Sequence, residues 1–339
     1  MKIGLIARKF DENSGSGVWI YAEKLSKKLE EKGIEVYKIE QKGSGLNSNR
    51  YHKFFHDWIN IPLECLKLYL FENVKKFHFL SENQGVTIPL LNLLKVETIA
   101  SFHDLMRTPN IQNSSDRRHF CLIYWLASRA TKIHCNSSET KKDLLEKIKT
   151  NKEIKIIPVN YREFKPLKKK SKEIVLGYLG ALNDRKRPEK LLEIEKELIS
   201  RKKMLRIDIW GKGGGFKKIK QKKKNLIKLK GFAPEGKLNE IYSSFDFLLF
   251  PSAYEGLGLP VIESAMCGVP IFIYSDAKIP PEVKDLCIIC KNSKNMIEKI
   301  LRMKAVEKKL LKRELIKKAE KFSFDKNVEK MISFYKLKY

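Results

Sequence analysis

The stretch from Asp246 to Pro270 constrains this chain more than any other. It reads Asp-Phe-Leu-Leu-Phe-Pro-Ser-Ala-Tyr-Glu-Gly-Leu-Gly-Leu-Pro-Val-Ile-Glu-Ser-Ala-Met-Cys-Gly-Val-Pro. Residues 247–250 are apolar without polar alternation, the pattern of a strand covered on both faces of a parallel sheet. Pro251 breaks the run, and a polar loop with two glycines follows. Pro260 then stands where a helix starts, a position at which its missing N–H costs nothing. Glu263 is expected in the first turn of that helix, and Gly268 ends it. Strand, glycine loop and helix N-terminus together gather free N–H groups and the positive end of a helix dipole, which suits an anion. Two carboxylates, Glu255 and Glu263, flank that point. Acids beside a phosphate make sense as acceptors from hydroxyls, such as a sugar on one side and a ribose on the other.

The rest of the chain repeats the same unit. Apolar runs at 2–7, 34–39, 77–80, 97–102, 132–135 and 154–158 alternate with helical patterns, which predicts a parallel sheet with crossover helices. The helix expected after the first run carries Val18, Tyr21, Ala22, Leu25 and Leu29 on one face, with Gly33 past its end. A Pro and a run of lysines at 164–172 read as a solvated linker. Runs at 174–179, 205–210, 225–229, 247–250 and 271–273 begin the rhythm again, and helices are expected at about 295–322 and 327–337.

The string from Glu255 to Glu263, with Phe-Pro-Ser before it and Ala-Met-Cys-Gly-Val-Pro after it, resembles the donor-site motif of the retaining glycosyltransferases of family 4, the glycosyl transferases group 1. The resemblance implies the GT-B fold: an α/β chain of two Rossmann-like parallel-sheet domains facing a central cleft. Domains are then expected at 1–164 on the acceptor side and 173–322 on the donor side, with 323–339 crossing back to the first. It implies transfer of a sugar from a nucleoside diphosphate sugar with retention at the anomeric carbon. Glu255 would hold a hydroxyl of the donor sugar and Glu263 the ribose. Amides of Gly256, Leu257, Gly258 and Leu259 would face the diphosphate, as would Gly15 and Gly17 after the first strand. His103, in a His-Asp pair at the end of the 97–102 run, would lie near the transferred sugar. Phe232 and its neighbours would line the base pocket. The family has an Arg directly after the glycine at 180 and a Lys further on; this chain has Ala181, with Arg185 and Lys186 as the cations for the diphosphate.

Fixed cations and helix-end amides stabilise a departing diphosphate by themselves. No Asp-x-Asp is placed for a sugar-nucleotide metal, so neither a metal nor a cofactor is expected. The same fold also carries sugar-nucleotide epimerases and phosphorylases, which remain the alternative chemistry. Net charge is +29, from 69 Lys and Arg against 40 Asp and Glu, enough to attract nucleic acid, anionic lipid or anionic small molecules. No zinc-finger spacing, RNP pattern or helix-turn-helix supports a nucleic-acid partner. Residues 54–76 mix Phe54, Phe55 and Trp58 with lysines, a pattern shared by a core helix with aromatic packing and by a helix lying on a membrane surface. No stretch approaches about 18 uncharged apolar residues, and residues 1–7 are too short an apolar run for a signal peptide. The expectation is a cytoplasmic enzyme at the inner face of the cell membrane, acting on a glycan or lipid-linked acceptor. The six cysteines form no disulfide framework, and Cys287-Ile-Ile-Cys290 reads as a buried strand.

Overall fold

The computed structural model describes every residue except 13–15, 41–55, 104, 106–113, 170, 172 and 337–339, and the side chains of 114–120. The chain forms two compact units: unit 1, Met1–Tyr161 with Phe324–Tyr339, and unit 2, Arg162–Ser323.

Unit 1 is built on β1 (Lys2–Ala7), β2 (Glu35–Glu40), β3 (Lys76–Phe79), β4 (Glu97–Phe102), β5 (Lys132–Cys135) and β6 (Ile154–Ile156). They pair in the order β2-β1-β3-β4-β5-β6, all parallel. Parallel neighbours need crossovers, supplied by α1 (Gly17–Glu31), α2 (Ile61–Phe71), α3 (Ile88–Leu93), α4 (Ser114–Ala127) and α5 (Ser138–Lys147). Tyr21, Ala22, Leu25 and Leu29 bury the inner face of α1. Gly33 ends it at φ +73°, donating to the Glu30 carbonyl. Phe77, Phe79, Phe102 and Ile133 form the core beneath the other helices.

Unit 2 repeats the plan with β7 (Val175–Leu179), β8 (Arg206–Trp210), β9 (Ile227–Gly231), β10 (Phe247–Leu249), β11 (Ile271–Tyr274) and β12 (Cys287–Cys290). The order is β12-β11-β10-β7-β8-β9, again all parallel. Its helices are α6 (Glu189–Ser200), α7 (Gly215–Lys222), α8 (Leu238–Ser244), α9 (Leu259–Met266), α10 (Pro281–Lys284), α11 (Ser293–Arg302) and α12 (Ala305–Ala319). Strand side chains alternate between two core layers. Leu248, Ile271 and Ile273 join α9 and α12 in one layer. Leu249 and Phe272 join α6 and α11 in the other.

The last helix, α13 (Phe324–Lys336), belongs to unit 1. A helix leaves its final carbonyls without partners. Here Lys132 Nζ donates to the Phe334 carbonyl at 3.1 Å, and Lys76 Nζ donates to that of Tyr335. Both lysines pair with Glu97, at 2.7 and 2.9 Å. Lys132 is 1% exposed, so this carboxylate is what makes its burial tolerable.

Several elements differ from the sequence reading. Residues 162–169 are tied to unit 2: Lys165 N–H reaches Asn239, Leu167 N–H reaches Ser243, and Lys169 reaches Asp246. Residues 295–322 form two helices, because Met303 and Lys304 are extended and Glu307 accepts the Lys304 N–H as the cap of α12. The aromatic and basic stretch begins with a π-type turn, His56–Asn60, before α2; Phe54 and Phe55 lie outside the described residues. Helix α7 has no counterpart in the sequence reading, since glycines and lysines hide its apolar face.

Replacing Glu97 by Gln leaves two cations facing each other around a buried site. The expected loss is on the order of 3 kcal/mol of stability, read as a lower urea midpoint at unchanged m-value.

Candidate functional site

In unit 2 the loops after β7 and β10 are fastened to each other. Asn183 accepts the Lys186 N–H and starts a short turn, Asp184–Lys186. Arg187 follows at φ +46°. Its guanidinium donates to the carbonyls of Pro251 (2.6 Å) and Ser252 (3.2 Å) and pairs with Asp276 at 2.7 Å. The Ala253 N–H returns a bond to the Arg185 carbonyl. A third strand end joins through Glu255 N–H to the Lys278 carbonyl and Lys278 N–H to that of Ala253. The conformation of the 251–258 loop is therefore fixed by three carboxyl ends of the sheet, where open α/β sheets bind ligands.

This framework brings Glu255 together with two cations. Lys186 Nζ lies 2.5 Å from Glu255 Oε1, and Arg185 Nη1 lies 3.0 Å from Oε2. Both Lys186 and Glu255 are buried. Lys186 also sits over the Phe250 ring at 5.1 Å, and Arg185 over Tyr254 at 5.6 Å. Two positive charges meet one carboxylate, so the cluster carries a net positive charge. An anion with hydroxyls nearby matches it: the cations serve the anion and the carboxylate accepts from a hydroxyl.

Helix α9 starts beside this cluster. Its N-cap, Gly258, has φ +88°, a conformation that favours glycine. A Cβ there would lie 3.8 Å from the Glu255 side chain. The N–H groups of Gly258 and Leu259 have no partner among the described residues, and no acid sits in the first turn. Pro260 is the second helical residue, and Glu263 falls one residue deeper than its sequence position suggested, at the start of the second turn. The reason is that Leu259, not Pro260, opens the helix.

Glu263 is 1% exposed, and both its oxygens are engaged. Arg162 Nη1 donates to Oε1, and the Tyr242 hydroxyl donates to Oε2 at 2.6 Å. The same guanidinium grips Glu235 through Nε and Nη2, each at 2.6 Å. Burial and the adjacent carboxylate push the Tyr242 phenol well above its usual range. Arg162 and Tyr242 escaped the sequence reading. Nothing around Arg162 marks it, and Tyr242 lies on the apolar face of α8. Phe232, after β9, is exposed and has Lys212 Nζ 5.8 Å from its ring centre.

In unit 1, Gly17 opens α1, and a Cβ there would lie 3.0 Å from the Tyr161 hydroxyl. Gly15 lies outside the described residues. His103 directly follows β4, with its ring Nε2 2.6 Å from the Leu80 carbonyl. A carbonyl only accepts, so Nε2 carries the proton and Nδ1 keeps its lone pair. Asp104, its expected companion, lies outside the described residues. Behind His103 runs a buried chain. His134 Nε2 donates to the Ile157 carbonyl (2.8 Å), and its Nδ1 accepts from Ser101 (2.7 Å). Ser101 accepts from His78 Nε2 (2.7 Å), whose Nδ1 accepts from the Tyr335 hydroxyl (2.7 Å). That order requires both imidazoles to be neutral. Burial lowers the pKa of His103, drives His78 well below its ordinary value, and pushes His134 down to about 3.

The model of the family described as "Glycosyl transferases group 1" matches residues 160–332, which include the Glu255 cluster, α9 and Arg162. The chain belongs to this family of glycosyltransferases. Its fold is GT-B. Sucrose-phosphate synthase from Thermosynechococcus elongatus superposes with a TM-score of 0.78 at 14% identity, covering 98% of each chain. Anabaena HepE in complex with UDP and glucose gives 0.72 at 13% identity over 99% of both chains. A glycosyltransferase from Rickettsia africae gives 0.67 at 17%, over 99% of this chain and 97% of that one. A segment of 63 residues is 33% identical to the O-antigen chain mannosyltransferase B of Escherichia coli; it spans 19% of this chain and 16% of that protein.

The neutral imidazoles make unit 1 sensitive to acid. An unfolded histidine binds its proton near pH 6.5, while His78 and His134 resist it in the fold. Protons therefore favour the unfolded state below that pH, and stability falls as pH drops. Between about pH 6.5 and 5, above the carboxylate range, each contributes up to about 1.4 kcal/mol per pH unit. Urea melts at stepped pH should show this slope, and the His78→Gln, His134→Gln double variant should lose most of it, His103 keeping its own share.

Proposed function

We propose that this glycosyltransferase moves a sugar from a nucleoside diphosphate sugar to a hydroxyl of a glycan or lipid-linked acceptor, retains the anomeric configuration, and needs no metal. One observation carries the reading. A buried carboxylate with two cations stands beside a helix start whose first N–H groups are uncommitted. The diphosphate takes Lys186, Arg185 and the amides of Gly256, Leu257, Gly258 and Leu259. As the sugar leaves, those fixed groups receive the charge that develops on the diphosphate. They supply the role a metal would otherwise fill. Glu255, released from its cations in part, accepts from a hydroxyl of the donor sugar.

Glu263 takes the ribose. Arg162 and Tyr242 hold its carboxylate in place, and the lone pairs they leave on its oxygens suit two hydroxyl donors. Phe232 offers its exposed face to the base. His103 offers Nδ1 to a hydroxyl of the transferred sugar, and the amide end of α1 at Gly17 favours negative charge. The UDP-glucose complex of Anabaena HepE supports a nucleoside diphosphate sugar as donor. The short match to an O-antigen mannosyltransferase supports an envelope-glycan acceptor.

Such an acceptor is presented at a membrane, and the reading places the enzyme at the cytoplasmic leaflet. No helix among the described residues is long and apolar enough to cross a membrane. Yet Ile59, Leu63, Leu70 and Phe71 are exposed at helical spacing along the turn before α2 and α2 itself, with Lys67 among them. A basic apolar face of that kind suits the headgroup boundary.

A thermal-shift screen with uridine, guanosine and adenosine diphosphate sugars identifies the donor; no shift with any of them would count against the reading. Glu255→Ala should remain folded but melt lower, since Lys186 loses its carboxylate, and below that melting point it should lose transfer by on the order of 1–3 kcal/mol or more in kcat/KM. Calorimetry on Lys186→Ala should show a larger loss for the nucleoside diphosphate than for the nucleoside. Equal losses would place Lys186 away from the phosphates.

A further inference from the structure

Nine of the nineteen residues 212–230 are lysine, and no acid occurs anywhere from 209 to 234. Over the whole chain, Lys and Arg together make up 69 of 339 residues, so this segment is more than twice as basic as the average. The structure turns that composition into one surface. Helix α7 buries Ile219 and packs Phe216 on the core, leaving Lys217, Lys218, Lys220 and Lys222 exposed. Lys224 and Lys228 continue the exposed surface to β9, the edge strand of the sheet. The connecting turn is held in place, since Glu195 accepts the N–H groups of Lys224 (2.7 Å), Leu226 (3.1 Å) and Ile227 (3.0 Å).

Among the described residues, none of these six lysines makes an ion pair; Lys230 alone of the segment reaches a carboxylate, that of Asp208 at 3.8 Å. Other basic faces have acids among their cations: Lys27 pairs with Glu12 and Glu23, Lys190 with Glu193, and Lys318 with Glu314. The segment 209–234 has no acid of its own to do this. Lysines on an edge strand do guard against strand pairing, which accounts for Lys228 and Lys230. It does not account for the four on α7.

We infer that the α7–β9 face is an electrostatic docking surface for an anionic lipid leaflet. The inference rests on the reading of the enzyme as working at a membrane, and it gives that contact a second and different physical basis. The charges are all lysine, compact and strongly hydrated, without the planar fork by which arginine grips individual phosphates. The exposed face of α7 carries no aromatic ring on which a base could stack. A diffuse negative surface needs neither feature, only many cations within a Debye length of it. No apolar side chain projects from α7, so attraction here is purely electrostatic and should vanish with salt.

The test is sedimentation of the full chain with phosphatidylcholine vesicles, with and without phosphatidylglycerol, at low and high salt. Binding should require phosphatidylglycerol. Replacing Lys217, Lys218, Lys220 and Lys222 by Gln should weaken it on the order of fivefold per lysine, with unchanged melting and unchanged nucleoside diphosphate binding. The control removes four cations from α12, where acids are interspersed: Lys309, Arg313, Lys317 and Lys318 to Gln. An equal loss in that control means net charge alone is at work and overturns the assignment. So does failure of the wild type to sediment at low salt, or tighter binding to duplex RNA that the α7 variant abolishes. If vesicles bind through α7 but no nucleotide sugar binds the wild type, the surface stands and the transferase reading falls.

Discussion

A carboxylate taken out of water has to be met by positive charge or by hydrogen-bond donors, and unit 2 is organised around two such groups. Glu255 has Lys186 and Arg185; Glu263 has Arg162 and Tyr242. Each set recruits a different part of the chain. The first ties the loop after β7 to the loop after β10. The second ties the opening residue of unit 2 to α8, α9 and the turn that carries Glu235. Removing either acid would leave buried cations or a buried donor without purpose, so fold and site share the same interactions. Arg187 adds the backbone bonds that keep Pro251 and Ser252 in register with this charge pattern.

How far the sequence spoke for itself depends on where each signal resides. Strands covered on both faces announce themselves as apolar runs, which is why β1, β4, β10 and β11 were legible; Cys287–Cys290 was read as buried for the same reason, yet it is the edge strand β12 and Ile289 is 43% exposed. The glycine loop and Pro260 announced the start of α9, though not to the residue. Long-range pairings left no local trace. Arg162 lies 101 positions from Glu263, and Tyr242 could be read only as one more apolar contact. Helix α7 was hidden because its buried face is two residues wide. The break between α11 and α12 was hidden because it uses neither Pro nor Gly but a capping contact from Glu307. The order of Ser101, His78 and His134 was invisible for another reason: three parallel strands must lie in register before those side chains meet.

Unit 1 solves the opposite problem to unit 2. It buries polar groups without net charge, threading them on a hydrogen-bond chain that starts at a tyrosine and ends at a carbonyl. Every donor in that chain has one acceptor, and the direction of all the bonds is set by the Ile157 carbonyl at its end. Such a chain favours one arrangement of the strands over any slipped register. It also holds the strand that delivers His103, so the tautomer of that histidine rests on a rigid backbone.

Unit 1 is discontinuous, and this governs the order in which the polypeptide can mature. Its sheet leaves the ribosome first, but α13 follows only after all of unit 2 has been synthesised. Until then Lys132, Lys76 and His78 lack the carbonyls and the hydroxyl that complete them. The nascent sheet must wait with a polar seam facing water or a chaperone, while unit 2, contiguous in sequence, is free to fold at once. The half of the protein made first is thus the half finished last, and any fragment ending before Phe324 carries that open seam permanently.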